Sequence, residues 1–144
     1  MLIIADEPAL AAVTPPMTAT DADSPDVGWA LERALWQALL PRMERDDLTP
    51  AMGASASRHL GAAASDTATL RLLLETSGDG DAFAHGLREA NIHALDDHRA
   101  SDRAAALRFL AARGSAPDGY EVMMDRSGRR RVVRRLLQAL EGER

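Results

Sequence analysis

The sequence has no cysteine, no lysine, few aromatic residues and no long apolar run. Without cysteine there is no disulfide framework, no thiolate metal site and no cysteine nucleophile. The same absence fits a reducing cytosol without requiring one. A membrane-spanning helix needs roughly 18 consecutive apolar residues. No stretch approaches that, so no membrane partner is expected. The apolar start, Met1–Ala5, is interrupted by Asp6, Glu7 and Pro8 and has no basic flank. A secretory signal is therefore not expected, and the reading is a cytoplasmic protein. Aromatics make up 3% of residues, so the core must be built from leucine, alanine, valine and methionine. Small and unbranched side chains favour helix–helix packing over sheets, which draw on β-branched and aromatic residues.

What is present is a chain of 144 residues, enough for one domain with its own core. All 17 basic residues are arginine, and alanine is abundant. That bias is the mark of a GC-rich bacterial genome, a correlation rather than a physical argument. The net charge of −5 is unevenly spread: residues 119–144 carry +3 and residues 1–118 carry −8. An acidic body with a basic end is a charge asymmetry to be explained.

The organisation reads as a flexible N-terminal tether over 1–24 and a single helical domain over 25–144. Pro8, Pro15 and Pro16, with the threonines and aspartates among them, favour extended and turn backbone. Leu2, Ile3 and Ile4 offer a short apolar segment for an edge strand or a partner, though a loose terminus is the preferred reading. Ser24, Pro25 and Asp26 then give a helix start. Two apolar stripes follow on nearly opposite sides of this helix. One is Val27, Leu31, Ala34, Leu35 and Ala38; the other is Trp29, Trp36, Leu40 and Met43. Pro41 is expected to kink or end it. Thr49 and Pro50 repeat the cap-then-proline signal ahead of Met52, Ala56, Leu60 and Ala63. Ser65 and Asp66 restart the chain into a short, largely buried helix with Leu70, Leu72, Leu73 and Leu74. Ser77–Gly80 breaks it. A fourth helix is expected over 81–97 on Phe83, Leu87, Ala90 and Ala94. A fifth opens at Ser101 and Asp102, carries Ala104, Leu107, Leu110 and Ala111, and stops at Gly114.

The last segment has two readings. Tyr120, Val122 and Met124 alternate as a strand would, and Asp125–Gly128 has turn chemistry, so a short β-hairpin over 119–133 is one. The favoured reading is a helix from about Arg130 to Glu141, on Val132, Val133, Leu136, Leu137 and Leu140. The fold class is thus all-α, an irregular bundle of five to six short helices.

The chemistry-bearing residues do not converge. His85, Glu89, His93 and Asp97 follow at i, i+4 steps and offer nitrogen and oxygen donors of metal-ligand type. The row lies beside the apolar stripe of its helix and has no matching second helix. A solvated polar face is the preferred reading, with no metal and no cofactor. Asp79-Gly80-Asp81 starts like a calcium loop but places Ala90 or Ile92 where the closing glutamate belongs. No phosphate loop and no nucleophile elbow is present, and no catalytic residue is assigned.

Two surfaces remain. Arg126, Arg129, Arg130, Arg131, Arg134 and Arg135 fall within ten residues. Their forks suit carboxylates or phosphates. In one reading they dock on the chain's own acidic body, with Asp46, Asp47, Asp96, Asp97 and Asp102 as neighbours, or on an acidic protein partner. In the other they bind nucleic acid, which usually brings aromatic stacking and a basic domain. Only Tyr120 is near, and the sequence pI is about 5.3. The tryptophan stripe of Trp29, Trp36, Leu40 and Met43 is the second surface, either core or a self-association or partner interface. The expectation is a non-enzymatic interaction protein (an adaptor, regulator or assembly subunit) that uses both surfaces on a protein partner. Nucleic-acid binding through the arginines is the alternative.

Overall fold

The computed structural model describes residues 25–143. The tether over 1–24 and the Ser24 cap lie outside the described residues. Six helices follow one another, with short links except over 113–125: α1 Pro25–Glu44, α2 Pro50–Leu60, α3 Thr67–Thr76, α4 Gly80–Ala94, α5 Ala100–Ala112 and α6 Arg126–Gly142. A 3₁₀ turn, Gly61–Ala64, continues directly from α2. The protein is all-helical, with no strand among the described residues.

The starts of the helices are set by local chemistry. Thr49 Oγ1 accepts from the Met52 amide at 3.2 Å, with Pro50 in the first turn. Asp66 accepts from the Thr69 amide and hydroxyl, and Asp79 accepts from the Ala82 amide at 2.7 Å. Asp125 accepts from the Gly128 amide at 2.8 Å. Each satisfies a first-turn N–H that has no partner inside its helix. Gly114 follows α5 with φ +72, a left-handed stop.

α4 is the hub, touching α1, α3, α5, α6 and the 3₁₀ turn. The turn touches α2, α3, α4 and α5. Asn91, fully buried on α4, joins the two. Its Nδ2 donates to the Leu60 and Leu87 carbonyls at 3.1 and 2.9 Å, and its Oδ1 accepts from the Ala62 amide at 2.9 Å. Gly61 (φ +62) makes this approach possible. A Cβ there would lie 2.1 Å from Asn91 Oδ1.

Several expectations change. α1 does not end at Pro41; it runs on to Glu44, and Pro41 and Gln37, whose carbonyl loses its i+4 donor, are both exposed. Of its two stripes, the one bearing tryptophan faces inward, while Ala34 and Ala38 of the other are exposed. Leu72 is 59% exposed rather than buried, because α3 buries Leu70 and Leu74 instead. On α5 the buried positions are Arg103, Ala106, Phe109 and Leu110. Residues 113–125 form neither hairpin nor helix. They make an ordered run of turns, and α6 begins at Arg126, about one turn earlier than expected, because Asp125 acts as a cap rather than as a hairpin turn.

Candidate functional site

The arginine cluster is built on α6, and α6 is held from three sides. Val132, Val133 and Leu140 are buried in the core, with Leu136 and Leu137 packed against it. Arg129, 13% exposed in its side chain, donates through Nε to Asp96 at 3.1 Å and through Nη1 to the Met124 carbonyl at 2.8 Å. At the far end Arg88 of α4 grips Glu143 with both fork nitrogens at 3.0 Å. α6 therefore runs antiparallel to α4.

The preceding turns are anchored too. Tyr120 is buried, and its hydroxyl donates to the Leu95 carbonyl at 2.7 Å. Burial pushes its phenol pKa up. Arg103, buried on α5, donates from Nε to the Val122 carbonyl and from Nη1 to the Asp97 carbonyl, both at 2.8 Å. The hairpin reading places Tyr120 on a strand; it instead anchors the turns that lead into α6, while the same role of Arg103 is not foreseen from the sequence. Arg103 shares the i, i+3, i+7 spacing of Ala106 and Leu110, a signal of an inward face that its charge obscured.

On that frame Arg126, Arg130, Arg131, Arg134 and Arg135 are exposed. Arg130 Nε lies 3.7 Å from Asp96, and Arg135 donates to the Asp118 carbonyl at 2.8 Å, which leaves its charge uncompensated. Among the described residues, no ion pair involves Arg126, Arg131 or Arg134. Arg130 and Arg134 lie on one flank at i, i+4, and Arg131 and Arg135 on the other. The four span about 7.5 Å along the axis at helical rise. Between α6 and the end of α4 is a shallow groove of about 400 Å³ where Val133 and Leu137 lie beside Arg130 and Arg134. Of the acidic neighbours expected from the sequence, Asp96 is the one that meets the cluster. Asp47 instead accepts on its own carbonyl from Arg42 and pairs with Arg45, and Asp97 caps the Arg99 amide.

Of the two readings of the tryptophan stripe, core or interface, the structure takes the core. Trp29, Trp36, Leu40 and Met43 are all buried in the chain's own core. Trp29 packs on Phe83 with ring centroids 5.0 Å apart, and Trp36 on His59 at 6.1 Å. α3 and α4 lie against α1, so a partner would have to displace them to reach these rings. The large rings gain most from burial, which decides the facing of a helix with two apolar sides.

The histidine row is spread along α4, with His85 and Glu89 half-buried and His93 exposed. Among the described residues no three histidine or carboxylate groups converge on a metal position. No helix of the described residues is long and apolar enough to cross a membrane. No family model, no curated protein and no solved structure matches the chain.

Proposed function

We propose that the protein is a non-enzymatic interaction protein, an adaptor, regulator or assembly subunit, that binds an acidic protein surface through α6. The observation that carries this reading is the rigid mounting of α6 with its arginine forks left exposed. Capped by Asp125, packed by Val132, Val133 and Leu140, and clamped at both ends, the helix has its backbone ordered before binding, so only the arginine side chains have freedom to lose. Guanidinium forks meet carboxylates in bidentate pairs. Half-buried Leu137 in the groove beside them offers apolar contact that a phosphate backbone would leave unused.

The nucleic-acid reading shares the same arginines. It lacks an aromatic platform beside α6, because the Tyr120 hydroxyl is committed to Leu95 and its ring is buried.

The test uses two labelled probes of matched charge, an amphipathic Leu/Glu helical peptide and a DNA oligonucleotide, read by fluorescence anisotropy over a salt series. The expected result is tighter peptide binding, lost in the R130Q/R131Q/R134Q/R135Q variant while its unfolding curve stays unchanged. Tighter DNA binding that falls steeply with salt would move the assignment to nucleic acid. Binding of both probes by the quadruple variant as by the parent would overturn the role of α6.

A further inference from the structure

A second groove lies on the other flank of α4, away from α6. It is formed by α3, the 3₁₀ turn, α4 and the first turn of α5, and holds about 400 Å³. Its floor is made of small residues, Ala63, Gly86, Ala90 and Ala94. A backbone can approach such a floor closely. Gly86 shapes one end, since a Cβ there would meet Leu73 Cδ2 at 2.5 Å. Leu72 stands at the lip, 59% exposed, one of two large apolar side chains that the described residues leave in solvent.

The rim is acidic. Asp66, Glu89, Asp97 and Asp102 come from four different elements or their links, and the groove is lined by no arginine. Burial first, and the nearby Asp97 carboxylate second, disfavour the charged form of Asp102, more than Arg99 and His98 favour it. A like-charge pair beside a small-residue floor is an arrangement that an incoming cation relieves.

We infer that this groove is a docking site for a cationic amphipathic helical segment of a partner protein, with leucine-type side chains on the alanine floor against Leu72 and arginine or lysine on the carboxylate rim. Helix-in-groove recognition needs an apolar trough with polar edges, and charge complementarity selects the sign of the occupant. The site is independent of the α6 arginines, which face away on the opposite flank of the hub helix.

The probe is a labelled amphipathic Leu/Arg helical peptide, titrated into the full chain, with an arginine-only peptide of equal charge as control. The D97N/D102N variant keeps the shape of both side chains and the Asp97 contact to the Arg99 amide. It should weaken binding about tenfold, which is about 1.4 kcal/mol. Leu72→Ser, at an exposed position that does not endanger the fold, should weaken it several-fold. R131Q/R134Q should leave it unchanged, which separates this site from α6. Equal binding by parent and D97N/D102N would overturn the site, as would equal binding of the arginine-only peptide. Self-association of the parent, seen by light scattering and abolished in D97N/D102N, would replace the partner by a second copy and overturn the assignment of the occupant.

Discussion

Asn91 shows how one side chain can join two elements. Its three hydrogen bonds satisfy the end of α2, the start of the 3₁₀ turn and a carbonyl of its own helix, all out of reach of water. Replacing it with leucine, of similar size, would strand the Ala62 amide and the Leu60 carbonyl. Each buried unpaired group costs about 1–3 kcal/mol. Asn91→Leu is therefore expected to lower stability by about 3 kcal/mol in chemical denaturation, with an unchanged m-value. A loss under about 1 kcal/mol would remove Asn91 from this role. Asp102 shows the opposite kind of residue. Burial first, and the nearby charge of Asp97 second, hold its carboxyl above the ordinary carboxylate range. With the folded pKa raised, folding favours the protonated form. Stability from this group is present below its unfolded pKa and lost as pH rises through the folded value. Asp102→Asn should match the parent near pH 3 and exceed it at neutral pH, as followed by thermal melts across that range. A gap that widens toward acid would contradict the sign.

At the scale of elements, α6 depends on its start. Its first turn contains no acidic residue and three arginines follow within a few positions, so the helix dipole is opposed there rather than complemented. Asp125 offsets this as both cap and nearby negative charge, and Asp96 holds Arg129 at the same end. Asp125→Ala should cost about 1 kcal/mol of stability. Hydrogen exchange should quicken first at the amides of 127–130, because the loss is local to that turn. Uniform quickening along the whole of α6 would show instead that the cap is not what fixes its start. α3 and α4 also start on a capping aspartate, α2 starts on Thr49, and α5 starts at Arg99 with no side-chain cap.

At the scale of the whole molecule, charge is sorted by side. The α6 flank of the hub helix carries the arginines, and the α3 flank carries the carboxylates around a small-residue groove. The two surfaces differ in sign and are separated by the body of α4, so the two proposed partners would not compete for space. The sorting was half legible in the sequence. The +3 end and the −8 body are counts along the chain. The groove is not, because Asp66, Glu89, Asp97 and Asp102 are brought together only by packing of α3 and α5 on α4.

Local chemistry is enough to set the helices, most of their starts and the arginine face of α6. Caps, prolines and apolar spacing act within a turn or two of their own position, so Thr49–Pro50, Asp66, Asp79 and Val132–Leu140 announce their elements without help. Tertiary structure decided which side of α1 faces inward, that Leu72 is left outside, and how 113–125 is held without a strand. Those outcomes rest on distant partners: Trp29 on Phe83, Tyr120 on Leu95, Arg103 on Val122. Two apolar sides of one helix look alike to local rules. Only the competition for burial, won by the tryptophans against α3 and α4, tells them apart.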